Sequence, residues 1–400
     1  MKQTVLQPPA PVAQTKPSAL WALGFRPFYL LAAIFAALGM FTWIAQFSGW
    51  TGNLMLLRGP LWHAHEMIFG YAFAVIVGFL FTAGRNWTGQ PTPTGGTLAL
   101  IASLWLAARV LVLLPWTFAA LAAAAADTAF ALAAAAGLAI PLLKSKNRRN
   151  YFFVLLLVAL GTGNLAFHLA MAGLLNFPVQ RALQLGLDLV LFIMVVMGGR
   201  VIPMFSANGA PGSQPVRVAW LEHVSLATVL MLIAAELIGA PAAATGTLAG
   251  IAGLSNAARL ALWQPWRTLE KPLVWILHAS YAWIALSLLL RAMAAMDLLA
   301  ANLATHAFTV GAVGGLTLGM MTRTARGHSG LRLEPGKMET TAFLLVQLAA
   351  LARVFVPLAF PAQYLNAVIA SGLLWSIAFA LFVIKFYPIL LTPRIDGREG

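Results

Sequence analysis

The chain is a succession of long apolar segments separated by short polar connections. Twelve segments are apolar over about 20 residues, the length that a helix needs to cross a bilayer. They fall near residues 20–47, 61–83, 97–115, 119–143, 151–174, 181–200, 217–238, 242–262, 272–292, 304–322, 339–357 and 364–391. The segments are continuously apolar rather than alternating, which argues against barrel strands. The pattern predicts an all-α, polytopic transmembrane helical bundle of about twelve spans.

The two ends of the chain differ from this pattern. Residues 1–18 are rich in Pro, Gln and Thr, which is typical of a disordered tail. No compact apolar core precedes a small-residue cleavage site there, so we do not interpret it as a signal peptide. We therefore expect a disordered cytoplasmic tail over 1–18, a single transmembrane domain over 19–392 and a C-terminal cytoplasmic tail over 393–400.

Composition supports a membrane protein and narrows its chemistry. The 400 residues are 61% hydrophobic and only 9% charged, whereas soluble domains are about 25% charged. Cysteine is absent, which excludes disulfides, Cys-ligated zinc, iron–sulfur clusters and covalently attached haem. A metal ion would have to be held by His, Met, Tyr or a carboxylate.

The distribution of basic residues predicts the orientation. They concentrate in the even-numbered connections, at Lys144, Lys146, Arg148 and Arg149, at Arg267 and Lys271, and at Arg323, Arg326, Arg332 and Lys337. The odd-numbered connections hold chiefly Arg58 and Arg181. The positive-inside rule then places both termini in the cytoplasm, and it explains the net charge of +14 without a nucleic-acid partner.

Four of the seven histidines fall in the outer half of the predicted membrane. His63 and His65 open the second span, His168 lies six residues before the outer end of the fifth, and His306 opens the tenth. They could converge as metal ligands, because imidazole commonly binds iron and copper, and Glu66 would lie beside them to orient a ligand. On a regular helix His63 and His65 diverge by about 200°, so one ion cannot bind both from such a helix. Both could bind where the helix has not yet started, or one could bind while the other orients. Alternatively, these rings hydrogen-bond lipid or loop carbonyls.

Other polar residues inside the spans could orient these histidines. Asn164 lies one helical turn before His168, and Asp127 and Asp188 also lie within spans. We expect them either to relay protons and position ligands, or simply to form hydrogen bonds between helices. His278 lies in the inner half of the ninth span.

Two segments suggest an internal repeat. When residues 65–89 and 306–330 are aligned without gaps, five positions are identical: His65 with His306, Gly70 with Gly311, Gly78 with Gly319, Arg85 with Arg326 and Gly89 with Gly330. The predicted spans also cross in the same direction, as in a parallel repeat. His65 and His306 would then face each other across an axis, as axial ligands of one haem or as ligands shared by a haem and a copper ion.

The inner ends of several spans carry Arg or Asn. Arg26, Asn86, Arg200 and Arg323 could form a cradle for haem propionates or another anion, because arginine pairs bidentately with carboxylates and phosphates. They could equally anchor the spans and cap helix ends. A haem near the cytoplasm would favour His278 as its ligand, and the sequence leaves both depths open.

Four motifs resemble the NnrS family of bacterial polytopic membrane proteins. They are Trp62-His63-Ala64-His65-Glu66-Met67-Ile68-Phe69-Gly70, Gly24-Phe25-Arg26-Pro27-Phe28, Asn86-Trp87-Thr88-Gly89 and Arg200-Val201-Ile202-Pro203-Met204-Phe205. The resemblance covers nearly the whole chain. It implies an inner-membrane protein that contains haem and copper, accompanies denitrification and protects against nitrosative stress. It also implies nitric oxide or a derived species as the partner.

The resemblance leaves the molecular activity open. The span number is similar to that of the catalytic subunit of haem–copper oxidases and nitric oxide reductases, but the adjacent His-His pair of those enzymes is missing. One hypothesis is a redox protein acting on nitric oxide, with an unknown electron donor. Alternatives are a proton-coupled transporter of an anion or nitrosylated metal species, using Asp127 and Asp188, and a sensor or assembly factor.

Overall fold

The computed structural model describes residues 19–50, 59–114 and 117–397. The predicted disordered tail over 1–18 and Arg58 lie outside the described residues, as do residues 398–400 of the predicted C-terminal tail. The described part of the chain contains helices and turns but no strand. This confirms the predicted all-α bundle.

Among the described residues, twelve long helices match the twelve predicted spans, with differences of several residues at their ends. They are α1 (Phe25–Phe47), α2 (Gly59–Thr88), α3 (Gly95–Val112), α4 (Thr117–Lys144), α5 (Phe152–Met171), α6 (Val179–Gly209), α7 (Ala219–Ile238), α8 (Ala242–Leu262), α9 (Pro272–Ala294), α10 (Ala301–His328), α11 (Lys337–Ala359) and α12 (Tyr364–Leu391). Short 3₁₀ helices occur at Ala19–Trp21, Arg148–Asn150, Pro265–Arg267 and Pro361–Gln363.

Eleven of these helices are long and apolar enough to cross a membrane, so the chain is a multi-pass membrane protein. The remaining helix, α8, is less apolar because it contains several Gly, Thr and Ser residues. It also carries the buried polar residues Asn256 and Arg259. Which side of the membrane each end faces stays a prediction. In the following, the outer end of each helix is the end that the positive-inside rule places away from the cytoplasm.

Helices α2, α6 and α10 form the centre of the bundle. They are the most buried of the eleven apolar helices, and all three line one small central space through Val75, Ile193 and Leu316. The other helices pack against chain neighbours, with α4 against α5 and α8 against α9, and α12 packs against α1. The outer halves of α2 and α10 therefore face the interior of the protein.

Helices α2 and α10 share an interruption at the same place. In α2 the regular helix ends at His65 and a π-helical segment follows at Glu66–Ala72. In α10 it ends at His306, and the π segment is Ala307–Gly314. This agreement supports the predicted repeat, and π segments are frequent at functional sites.

The paired glycines of these segments allow close contacts from neighbouring helices. A Cβ atom on Gly70 would stand 2.7 Å from Nη1 of Arg109, and one on Gly311 would stand 2.3 Å from the ring of Trp283. Both distances are shorter than a Cβ atom tolerates, so these positions exclude larger residues. An arginine and a tryptophan thereby pack directly against the central helices.

Candidate functional site

A polar cluster lies in the outer half of the bundle between α2, α3, α4 and α5. At its centre is His65, which is only 1% exposed. Its Nδ1 lies 2.8 Å from Oε1 of Glu66, and its Nε2 lies 2.7 Å from Oδ1 of Asn164. The ring also stacks on Phe167 with a centroid distance of 4.5 Å. These contacts fix the orientation of the imidazole on both edges and one face.

Arg109 from α3 holds two buried carboxylates beside this histidine. Its Nη1 donates to both oxygens of Glu66 at 3.0 Å, and its Nη2 donates to Asp127. Asp127 in turn lies 3.0 Å from Nε2 of His168. The sequence analysis did not select Arg109. The signal that could have found it was an arginine within an apolar span, where charge is costly.

Three side chains of the cluster could bind one cation. His65, Asp127 and His168 each offer a ligand atom, and these atoms lie within 4.8 Å of one another. Two carboxylates and one arginine leave the cluster with one net negative charge when both histidines are neutral. A singly charged metal ion or one proton on a histidine ring would balance that charge.

A separate cavity lies on the other side of α2. It has a volume of about 330 Å³ and is lined by α1, α2, α6, α10, α11 and α12. His63 and His306 both line it, together with Trp43, Arg353 and Trp375. We call it the outer cavity. Its walls are mainly apolar and aromatic, and its few polar groups come from α2, α10 and the α11–α12 hairpin.

The two histidines of the outer cavity are oriented in different ways. Nδ1 of His306 lies 2.7 Å from the carbonyl oxygen of Asn302 one turn earlier. Its Nε2 is 3.3 Å from Nη2 of Arg353, which also donates to Tyr364. His63 stacks on Trp43 with a centroid distance of 4.8 Å and an interplanar angle of 9°. Within the described part of the chain, the buried Nδ1 of His63 has no hydrogen-bond partner.

The predicted convergence of four histidines on one site is therefore wrong. His65 and His168 belong to the polar cluster, whereas His63 and His306 line the outer cavity. The reason is the helical geometry of α2, because residues two positions apart point to opposite faces. For the same reason His65 and His306 do not face each other, although they occupy matching positions in α2 and α10.

Of the residues predicted to form an anion cradle, Arg26 and Arg200 bind oxygen atoms of the protein itself. Arg26 donates to the carbonyl oxygens of Leu390 and Thr392 at 3.0 and 2.8 Å, so it caps the inner end of α12. Arg200 donates to Oδ1 of Asn150 at 2.7 Å. Arg26 is thereby bound to the inner end of α12, and Arg200 to the segment that precedes α5. Arg323 instead lines an inner cavity, together with Asn86 and His328.

Two further predicted residues lie in structural networks. Nε2 of His278 is 2.7 Å from Oγ of Ser206, which joins α9 to α6. Asp188 pairs with Arg291 at 2.5 and 3.0 Å, and Arg291 also donates to Glu236. The hydrogen bonds of Asp188 in the described structure go to Gln184 and Arg291 rather than to a histidine, which agrees with the alternative of bonding between helices. Asn164 and Glu66, by contrast, contact His65 directly.

Comparison with known proteins places the chain in a family. A family model described as NnrS protein matches residues 19–394, which is nearly the whole chain. No curated protein matches the chain significantly.

Proposed function

The chain belongs to the NnrS family, and we propose that it binds haem and copper and that it binds or redox-transforms nitric oxide or a species derived from it. Family membership supports a multi-pass membrane protein of the nitric oxide response. The two cofactors, protection against nitrosative stress and residence in a bacterial inner membrane are parts of the proposal.

Haem binds in the outer cavity, with His306 and His63 as its ligands. The observation that carries this assignment is the position of these two histidines, which line one cavity from different central helices. The contact between Nδ1 of His306 and a backbone carbonyl makes Nε2 the nitrogen with the lone pair, which is typical of a metal-ligating histidine. Haem iron would replace the contact of 3.3 Å between Nε2 and Arg353. Arg353 and Tyr364 supply donors suited to propionates.

Unsatisfied groups in the outer cavity agree with this assignment. Nδ1 of His63 and Nη1 of Arg353 are buried without a partner among the described residues. A buried polar group left without a partner costs about 1–3 kcal/mol. The aromatic walls, which include Trp43, Tyr71 and Trp375, suit a flat apolar macrocycle. When bound, haem would supply one-electron redox chemistry or a binding position for a diatomic ligand.

Copper binds at His65, His168 and Asp127 in the polar cluster. Imidazole nitrogen suits copper, and the net negative charge of the cluster suits a singly charged ion. Glu66 positions His65 through Nδ1, and Arg109 holds Asp127 in place. Copper would replace the contact between Nε2 of His65 and Asn164. Copper in this position would supply a second one-electron centre. The two sites lie on opposite faces of α2.

A second candidate function is transport of a small molecule through the centre of the bundle. The observation that favours it is a row of three cavities, in which the outer cavity is followed by an apolar space of about 80 Å³ and an inner cavity of about 390 Å³. Proton coupling through Asp127 or Asp188 fits less well, because arginine neutralises both carboxylates.

The visible spectrum and metal content of the purified protein test the proposal. We expect a Soret band in the wild type and its loss in His306→Ala. His278→Ala is the control, because His278 is also a histidine within a span but bonds to Ser206 and does not line the outer cavity. A Soret band that survives His306→Ala would contradict the haem assignment. A colourless, metal-free protein that moves an anion into liposomes would favour transport.

A further inference from the structure

The inner cavity has an apolar floor and a basic rim. Phe79, Met197 and Met320 from the three central helices form part of its floor. The rim carries Asn86, Arg323, His328 and Arg394, and we call this space the inner basic cavity. No carboxylate is among the described residues that line it. The local charge is therefore positive at the inner end of the bundle.

Arg323 is the group whose charge is not balanced. Its guanidinium lies over the Phe205 ring, 3.7 Å from the centroid, and has no hydrogen-bond acceptor among the residues that the structure describes. Arg394 differs, because Asp396 accepts two hydrogen bonds from it at 2.7 Å. Arg323 is only partly buried, so its N–H groups are available to an anion that enters the cavity.

The rim is held in place by the C-terminal segment of the chain. Arg26 donates to the carbonyl oxygen of Thr392, and the backbone nitrogen of Ile395 donates to the carbonyl oxygen of Ser329 at 3.3 Å. These contacts fix residues 392–397 beside the inner end of α10, so Arg394 and His328 face the same space.

We propose that the inner basic cavity binds an oxyanion through Arg323, with Asn86 and His328 as neutral hydrogen-bond donors. A planar guanidinium pairs with two oxygen atoms at once, which favours phosphate-like or carboxylate-like groups over halide. The oxyanion comes either from solution or from the headgroup of an acidic phospholipid, since the cavity lies at the inner end of the bundle. The site is independent of haem and copper.

Thermal unfolding of the full-length protein tests this site. The protein is delipidated in a zwitterionic detergent and titrated with inorganic phosphate, with chloride used to hold ionic strength constant. A parallel arm compares nanodiscs of phosphatidylglycerol with nanodiscs of phosphatidylcholine. We expect saturable stabilisation by phosphate or by phosphatidylglycerol, and the responding arm identifies the source of the oxyanion.

Variants decide whether Arg323 carries the binding. Arg323→Gln removes one or two charge-assisted hydrogen bonds and should weaken binding about tenfold to a hundredfold. Arg332→Gln is the matched control, because Arg332 lies exposed in the same connection. If Arg323→Gln does not fold, Arg394→Gln should weaken binding in the same direction. The proposal is overturned if neither probe stabilises the wild type, or if the rim variants respond like the control.

Discussion

Replacing Arg109 with methionine should destabilise the protein more than removing either of its acidic partners. Arg109 is 3% exposed and is the cation that Glu66 and Asp127 share. Methionine fills a similar volume, so the substitution removes the charge and its hydrogen bonds while leaving little empty space. Two buried carboxylates then lie side by side without a counter-charge.

The expected loss of unfolding free energy depends on how many charged groups each variant leaves unpaired. Removing one member of a buried ion pair costs about 3–5 kcal/mol, because the remaining charge is buried without compensation. Asp127→Asn instead leaves Arg109 bonded to both oxygens of Glu66. Its cost should be that of lost charge-assisted hydrogen bonds, about 1.5–3 kcal/mol.

The free energy of unfolding in mixed micelles, measured by titration with a denaturing detergent, distinguishes these two costs. Combining Arg109→Met with Glu66→Gln should recover part of the loss, since one unpaired carboxylate is removed. A loss in Arg109→Met no larger than that in Asp127→Asn would refute the view that one arginine balances both carboxylates.

Three further predictions concern packing and the two proposed sites. Gly311→Ala should lower the free energy of unfolding by about 1–3 kcal/mol, because the new Cβ atom would stand 2.3 Å from Trp283. Gly250→Ala is the control and should have little effect, because the nearest atom to its Cβ would be 3.7 Å away. His168→Ala should abolish copper in elemental analysis and leave the Soret band unchanged, and loss of both cofactors together would count against separate sites. Arg353→Gln should weaken haem retention about tenfold in a haem-transfer assay, through loss of a charged hydrogen bond; unchanged retention would exclude a propionate contact.

The fold was predictable because the bilayer imposes one requirement on every span. Each membrane-crossing segment must satisfy its backbone internally, so a long apolar run becomes a helix. The helix ends were less predictable, because a helix can continue beyond the apolar run into polar sequence. The sixth span, predicted at 181–200, extends over Val179–Gly209. The alignment of residues 65–89 with residues 306–330 also paired His65 with His306. In the structure, each of these histidines directly precedes a π-helical segment.

The candidate sites were only partly predictable. Spacing alone showed that His63 and His65 point to different faces of one helix. It could not show which face meets α10, because the rotation of α2 about its axis depends on packing against other helices. Arg109 and Arg353 are absent from the sequence-based candidates for a related reason. Each forms a hydrogen bond with a residue more than 40 positions away in the sequence, and this contact exists only in the folded bundle.

The central claim is that haem and copper lie on opposite faces of α2, served by histidines two residues apart. The most direct test measures haem and copper contents of His63→Ala and His65→Ala side by side, with the exposed His223→Ala as control. We predict that His63→Ala loses haem and keeps copper, that His65→Ala loses copper and keeps haem, and that the control keeps both. Loss of the same cofactor in both variants would contradict the claim.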